Sequence, residues 1–439
     1  MNKKIIVMFC CATMCVFPPT IAQQPLRLSQ ADCRRMALSH SEELRKAENA
    51  LKQAELDREI ARTAFLPKLD ASAVGAYVMP DMDMMGMELR MRGTYMAGIN
   101  LSQPLYAGGK IATGRRLARI GEQVATEQCR MTRMDVLVEA DKAYWTFLAV
   151  GRKVRMLESY HTQMDTLRRQ TQTALATGMA TENDLLRIEA KHTEIEYQLQ
   201  KARNGADLCS MALCRLLGVD FHTEIMPVDT VFAPSRPERL TADVSARPEL
   251  HLLEKQVAAG REQIRMARAD MLPTVGLSAS YMYYGNVKLN GTASAADGVQ
   301  YPFSEEFRDG LGVVMLAVKI PLFSWGANRK KVYKAKYELQ NAELDLQKNV
   351  RLLSIEVQQA IRNVEDGHRL VRTAEKGQQQ AAENLRVMRN RYAASMVALT
   401  DLLDAQSQWQ QAESNLIEAQ VQCKINETEY ERATGTLAF

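Results

Sequence analysis

The sequence QPLYAGG at residues 103–109 returns in similar form as IPLFSWG at residues 320–326. Each copy places a proline ahead of a closing glycine, and a long helical pattern without proline follows. The copies lie 217 residues apart, and the same separation relates the Asp-Leu-Leu motifs that begin at Asp184 and Asp401. Self-similarity at a fixed spacing predicts an internal duplication.

A second pair of motifs shows where the two copies differ in length. RTAFLP at residues 62–67 returns as RADMLP at residues 268–273, but the separation here is 206 residues. The register therefore changes once, by 11 residues, between the first and the second proline of each copy. We predict a first repeat at residues 23–220, a proline-containing linker at residues 221–245 and a second repeat at residues 246–439.

The first 22 residues have the layout of a cleavable secretory signal. Lys3 and Lys4 precede an apolar run at residues 5–17, and Thr20-Ile21-Ala22 offers a small-residue cleavage site. The run is shorter than the ~20 residues that a membrane-spanning helix needs. Acylation of Cys15 is the alternative to simple cleavage. Either outcome predicts an exported protein.

Composition argues against several classes of protein. The formal net charge is +4 on 439 residues with both signs interspersed, so no basic patch indicates nucleic-acid binding. Gly108-Gly109-Lys110 lacks the remaining residues of a phosphate-binding loop, and the six histidines show no metal-ligand spacing. Five cysteines lie beyond the signal, scattered and odd in number, which indicates free thiols. We therefore expect no enzyme activity, no cofactor and no metal.

Long helices dominate each repeat. Apolar residues at three-and-four spacing, including Leu339, Leu346 and Leu353, form a coiled-coil seam within residues 328–393, a helix of ~100 Å. A shorter lead-in helix is expected at residues 41–66. Breaks at residues 178–181 and 395–398 predict that each long helix turns back into a return helix. The pattern indicates antiparallel coiled-coil hairpins.

Extended segments lie between the helices. At residues 95–102, Tyr95, Ile99 and Leu101 alternate with small or polar residues, and residues 274–283 alternate in the same way. Segments of ~10 residues with this alternation are typical of transmembrane barrel strands, with a soluble sandwich as the alternative. Residues 80–93 and 287–310 are predicted to be loops. Two hairpins cannot close a barrel, so the chain is expected to associate.

Taken together, these motifs resemble the TolC family of outer-membrane efflux proteins over nearly the whole mature chain. The resemblance rests on the doubled QPLYAGG motif, on RYAAS at residues 391–395 with TDLLDAQ at residues 400–406, and on ATGTL at residues 433–437. It implies a mixed α and β fold: a homotrimeric 12-stranded transmembrane β-barrel with four strands per chain, continued by an α-helical periplasmic tunnel. It also implies a periplasmic adaptor, an inner-membrane transporter and outer-membrane lipid as partners.

The candidate site residues lie near the helical breaks. Asp401 and Asp404 are three residues apart and share a helix face, so a trimer would arrange them as rings of like charge, which hold cations. The resemblance matches them to constriction aspartates, and Asp184 and Tyr392 to gating contacts. For Asp184 the alternative is helix capping from Thr181. Lys319, aligned with Ser102, is predicted to face the barrel lumen, because a lipid-facing Lys costs ~2–4 kcal/mol.

Two departures from the family pattern concern the second hairpin turn. Ser395 stands where the family usually has Gly, and Val397 stands where its best-known member has an Arg that links hairpins. That lock is therefore expected to be absent. Two functions remain: an efflux or export channel, or a periplasmic coiled-coil or adhesin-like protein with no pore.

Overall fold

The computed structural model describes residues 25–84, 87–229, 240–294 and 300–437. The predicted signal sequence at residues 1–22 lies outside these ranges. The elements in chain order are β1 (Leu26–Leu28), α1 (Gln30–His40), α2 (Glu42–Thr63), β2 (Lys68–Tyr77), β3 (Met82–Met84), β4 (Met87–Arg90), β5 (Arg92–Ala107), α3 (Lys110–Ala176), α4 (Glu182–Leu217), β6 (Ile225–Pro227), α5 (Pro248–Ala269), β7 (Thr274–Ser294), β8 (Gln300–Lys319), α6 (Ala327–Ala393) and α7 (Leu399–Thr434).

The chain forms two compact units. The first comprises Met1–His40, Ala140–Pro234 and Val371–Lys424, and the second comprises Ser41–Glu139, Ser235–Leu370 and Ile425–Phe439. Three helices, α3, α6 and α7, contribute residues to both units. The sheet of long strands belongs to the second unit, and both helical breaks belong to the first.

Helix lengths match in pairs. α2 and α5 each have 22 residues, α3 and α6 each have 67, and α4 and α7 each have 36. At 1.5 Å per residue, α3 and α6 are each ~100 Å long. The pattern that predicted a helix at residues 328–393 is confirmed to within one residue at its start. No helix in the described ranges is both long and apolar enough to span a membrane.

The change from helix to strand follows the prolines. α2 starts behind an N-cap, the Ser41 hydroxyl, which accepts a hydrogen bond from the backbone N–H of Leu44. It ends at Thr63, and β2 begins directly after Pro67. α5 likewise ends at Ala269, and β7 begins directly after Pro273. Proline cannot continue the helix and forces its predecessor into extended geometry, which ends both helices here.

The four long strands form one antiparallel sheet in the order β2-β5-β7-β8. Among the described residues β2 and β8 do not pair with each other, so both are open edges of this sheet. The predicted loops at residues 80–93 and 287–310 are wrong in extent. β7 and β8 stay paired from Thr274↔Lys319 to Ser294↔Gln300, and β3 and β4 form a short hairpin whose second strand pairs with β7.

Strand register separates two faces of the sheet. Ile99 lies opposite Tyr281 and Leu101 opposite Ala279, while Asn100 lies opposite Ser280. Because opposite residues share a face, the apolar alternation of β5 and that of β7 coincide, as the sequence predicts. Lys319 pairs with Thr274, at the end of β8 nearest α6, on the face of the polar set. It therefore lies on the opposite face from Ile99 and Leu101.

The first unit has a short parallel pair that the sequence does not predict. β1 pairs with β6, which lies inside the predicted linker, while Pro234 and Pro237 of that linker lie outside the described residues. The buried Tyr144 of α3 donates its hydroxyl to the Asp229 carboxylate over 2.7 Å. Burial, together with that hydrogen bond, raises the pKa of the Tyr144 phenol. The contacts hold the segment after β6 against α3.

Candidate functional site at the helical hairpin turns

The two turns that end α3 and α6 have the same hydrogen-bond pattern. The N–H groups of Gly178 and Met179 donate to Leu175 and Ala174, at 3.0 and 2.7 Å. In the second turn, Ser395 and Met396 donate to Tyr392 and Arg391 at 2.9 and 2.8 Å. Both sets are Schellman motifs, which place one residue in the left-handed region.

That left-handed residue differs between the turns. Gly178 has φ 74° and Ser395 has φ 59°. A side chain at such a position costs roughly 1–2 kcal/mol, which glycine avoids because it has no Cβ. The departure from glycine at Ser395 therefore strains the second turn without changing its backbone path.

Ser395→Gly is expected to stabilise the second turn by about 1 kcal/mol, because it removes the left-handed strain. Hydrogen–deuterium exchange of the amides at residues 391–396 measures this as slower exchange. Gly178→Ala is the matched control and should accelerate exchange at residues 174–179. Unchanged exchange in both variants would show that φ strain does not limit opening of these turns.

Asp184 lies in the first turn of α4 and forms a complete capping box with the N-cap residue Thr181. The Thr181 hydroxyl accepts a hydrogen bond from the Asp184 N–H at 3.2 Å, and an Asp184 oxygen accepts from the Thr181 N–H at 3.3 Å. The same oxygen also accepts from the Thr181 hydroxyl at 2.7 Å. The helix-capping role weighed from the sequence is therefore present. The carboxylate is committed to local bonds that favour the helix start.

α7 begins with only half of this arrangement. An Asp401 oxygen accepts a hydrogen bond from the Ala398 N–H at 3.3 Å, but Ala398 has no hydroxyl to complete a box. Asp404 lies one turn further along α7 and is exposed, like Asp401. In the described part of the chain Asp404 has no hydrogen bond or ion pair. The two carboxylates therefore differ, because only Asp401 helps to start the helix.

An apolar core fixes the direction of these carboxylates. Leu399, Leu402 and Ala405 of α7 are buried in one cluster. The other buried members of this cluster are Tyr160, Met164, Leu167, Ile188, Ile195 and Leu385, which come from α3, α4 and α6. Leu402 and Ala405 directly follow Asp401 and Asp404 in sequence and are buried, so both acids lie on the opposite, exposed side of the helix.

Tyr392 is half-buried and packs against the same cluster. The structure thus brings Tyr392 and the start of α7 to one apolar core, within the first unit. Lys319 is not part of this site, because it lies on the sheet of the second unit.

α3, which contributes Met164 and Leu167 to the same apolar cluster, also carries a group of ion pairs that the sequence analysis does not identify. Asp165 forms ion pairs with Arg168 and Arg169 at 2.9 and 2.7 Å. Burial raises the pKa of Asp165, but the hydrogen bond from Arg168 and the two positive charges outweigh it and lower the pKa. The three- and four-residue spacing of these charges is sufficient to predict the ion pairs, because such residues are neighbours on a helix. The hydrogen bond from Arg389 of α6 to Gln163 could not be predicted from the sequence, because it joins residues 226 positions apart.

Comparison with known proteins identifies the family. The outer membrane efflux protein family profile matches residues 34–219 and 244–436, most of the chain. The chain belongs to the outer membrane efflux protein family. Its location is therefore the outer membrane, with a part that extends into the periplasm, and the family resemblance drawn from the doubled motif is confirmed.

Similar proteins agree with this assignment. The alkaline protease secretion protein AprF of Pseudomonas aeruginosa is 24% identical over 74% of this chain and 66% of its own length. The proteases secretion protein PrtF of Dickeya chrysanthemi is 23% identical over 88% of this chain and 84% of its own length. Among solved structures, the outer membrane protein VceC of Vibrio cholerae superposes with a TM-score of 0.74 at 18% identity, covering 92% of this chain and 96% of VceC. At that identity the superposition shows the fold.

Proposed function

We propose that this protein is the passive outer-membrane channel of a tripartite efflux or export system. Three copies form a 12-stranded barrel, four strands from each, and the helices continue it as a periplasmic tunnel. A periplasmic adaptor and an inner-membrane transporter deliver substrate, and the transporter supplies the energy. Two structural repeats, at residues 23–220 and 246–439 with a linker at residues 221–245, form each subunit.

The observation that carries this proposal is the four-stranded sheet with one apolar face and two open edges. An open edge in lipid leaves backbone groups unpaired, at several kcal/mol each, so strands in a membrane must close into a barrel. α3 begins three positions after the end of β5, and α6 begins eight positions after the end of β8, so each strand is followed closely by a helix of ~100 Å. A non-pore coiled-coil protein offers no reason for such strands.

Single-channel recording in a planar bilayer tests the proposal. Purified protein should give stable, voltage-tolerant conductance steps, and the same preparation should run as a heat- or SDS-resistant trimer. Recovery from cells as a soluble periplasmic monomer, with no conductance, would exclude a channel and leave the structural alternative.

The assignment of the two faces of the sheet predicts how fast cysteines placed on each face react with a thiol reagent. A cysteine placed at Ile99 should react slowly with a membrane-impermeant thiol reagent, because that face is apolar and meets lipid. A cysteine placed at Lys319 should react quickly, because it lies on the opposite face, which carries Asn100 and Ser280 and is proposed to line the lumen. Equal reaction rates at the two positions in intact trimers would contradict the assignment of faces.

The hairpin-turn residues are proposed to form the periplasmic constriction. In a trimer, Asp401 and Asp404 would form two rings of three carboxylates, and such rings attract and retain cations in a narrow pore. Asp184 and Tyr392 are proposed to support the gate, although Asp184 also caps its own helix. Val397 offers no cation for a lock between hairpins, so gating must depend on other contacts.

A further inference from the structure

β5 and β8 occupy equivalent places in their repeats but differ in length at one end. β8 stops at Lys319, the counterpart of Ser102. β5 continues past Ser102 to Ala107, and the residues of that extension pair with β7 and not with β2. The counterpart of the extension, residues 320–324, has no strand partner among the described residues of the chain. Two of its apolar side chains, Leu322 and Phe323, are 90% and 75% exposed.

The hairpin registers show that the two repeats superpose strand for strand. In the first hairpin Lys68 lies opposite Ser102, and in the second Thr274 lies opposite Lys319. Moving Lys68 forward by 206 residues and Ser102 forward by 217 gives that second pair, so the separations found between motifs also relate the strand registers. The internal junction between β5 and β7 can therefore serve as a template for the missing junction.

We propose that β8 of one subunit pairs with β2 of a second copy in one fixed register, with Lys319 opposite Ser72. This follows from the internal pair Ser102↔Ser278, whose members correspond to Lys319 and Ser72. Residues 320–324 then extend β8 as a strand against the start of the neighbouring β2. The inference rests on the trimer of the proposed function and specifies how its subunits join.

An ion pair distinguishes this junction from its template. Asp70 of the second copy lies two residues from Ser72 on the same face, within diagonal reach of the long Lys319 side chain. Among the described residues neither Lys319 nor Asp70 has an ion-pair partner in the single chain. The template has Ser102 and Gly276 at the corresponding places, so it carries no charge there. Each of the three junctions thus gains a pair that the chain alone cannot form.

The turn after β8 gives an independent sign of a missing neighbour. Trp325 has φ 52°, close to the φ of 60° at its counterpart Gly108. A Cβ on Gly108 would lie 2.7 Å from the Ala269 carbonyl oxygen, because that turn abuts the end of α5. Trp325 keeps the same strained backbone path yet is 87% exposed.

The template also indicates what covers this tryptophan. Ala269 and Leu272, which flank Gly108, correspond to Thr63 and Leu66, at the end of α2. Leu66 is itself exposed. The end of α2 in the second copy therefore faces Trp325. Because the indole cannot fit the close approach that Gly108 allows, the junction between copies is wider here and the ring fills it.

Paired cysteines test the register. Val74→Cys with Ala317→Cys places two thiols directly opposite each other across the junction. Within one chain, β2 and β8 are three strand spacings apart, ~14 Å, too far for a disulfide. Val74→Cys with Met315→Cys is the matched control, on the same face but two residues out of register. The wild-type chain is the background, because burial raises the pKa of Cys33 to about 12 and also raises those of Cys129, Cys209 and Cys214.

After oxidation of native trimers, the aligned pair should shift most of the chain into covalent dimers and trimers on a denaturing, non-reducing gel. The shifted pair should stay at the wild-type background. The proposed register would be wrong if, in intact trimers, the shifted pair cross-links as well as the aligned pair or neither pair cross-links. Either result would still be compatible with the proposed channel. Monomers in the outer membrane would overturn the trimer itself.

A charge exchange tests the ion pair separately. Lys319→Asp should lower the temperature at which the trimer dissociates in SDS, because it sets two acids side by side. Adding Asp70→Lys should restore that temperature towards the wild-type value, since the pair is re-formed with reversed polarity. A double variant no more resistant than the single variant would overturn the pairing of these two residues.

Discussion

Replacing Asp401 and Asp404 together by asparagine is expected to weaken strongly the block of the channel by multivalent cations added on the periplasmic side. Each trimer would lose six carboxylates from two rings. Two opposite unit charges attract each other by ~1 kcal/mol in water at 4 Å, and the attraction is larger for a multivalent cation and in a confined pore. Since 1.4 kcal/mol is a factor of ten, the blocking concentration should rise by at least about tenfold.

The two single substitutions are expected to differ in kind. Asp401 accepts a hydrogen bond from the Ala398 N–H, so Asp401→Asn weakens the start of α7 as well as the ring. Asp404 has no local bond in the described residues, so Asp404→Asn should change cation binding alone. Hydrogen exchange at the first turn of α7 separates the effects, and only the first variant should accelerate it.

Conductance in a planar bilayer provides the measurement. Block curves and the reversal potential in a salt gradient would be compared between wild-type and double-variant trimers. Glu413→Gln is the control, because it removes an acid from the same helix nine residues beyond Asp404. If block and cation selectivity survive in the double variant, the carboxylates only start a helix, and the constriction lies elsewhere.

The sequence was sufficient for elements whose causes are local. Pro67 and Pro273 end helices for a steric reason that needs no tertiary information, and both helix-to-strand changes lie where they predict. The 67 residues of α6 follow from an unbroken apolar seam. Thr181 with Asp184 was recognisable as a capping box from its spacing alone, and the hydrogen bonds match it.

The features that the sequence did not reveal depend on contacts between distant residues. Residues 287–294 are too polar to be recognised as a membrane strand, yet all of them pair with β8, and residues 288–290 also pair with β4. The parallel pairing of β1 with β6 joins segments about 200 residues apart, each only three residues long. For the hairpin turns, local spacing found the carboxylates, but only packing of Leu402 and Ala405 shows that both acids point into the open.

Asp141→Ala is expected to destabilise the N-terminal part of the first unit by about 3–5 kcal/mol, because it removes a fully buried carboxylate that compensates the charge of the largely buried Arg34. The Asp141 carboxylate is fully buried. It accepts hydrogen bonds from Arg34 Nε at 2.9 Å and Nη2 at 2.6 Å, and from Gln30 Nε2 at 3.0 Å. These bonds attach α1 to α3, so the expected result is local opening of residues 25–40.

Limited proteolysis of native trimers measures this opening. When opening is fast compared with cleavage, the cleavage rate follows the population of the open form, so ~3–5 kcal/mol corresponds to cleavage roughly a hundredfold to several thousandfold faster. Asp366→Asn is the control for an ordinary ion pair. Asp366 and Arg369 are 60% and 71% exposed, and losing such a pair should change stability by well under 1 kcal/mol.

The double variant Arg34→Met with Asp141→Leu separates the ion pair from the packing it occupies. Replacing both charges by apolar side chains of similar size removes the buried cation together with its partner, and such replacements are often neutral. Cleavage in the double variant should therefore return most of the way to the wild-type rate. If it stays as fast as in Asp141→Ala, the hydrogen bond from Gln30 and the shape of the carboxylate hold α1 in place, and the charge of Arg34 does not.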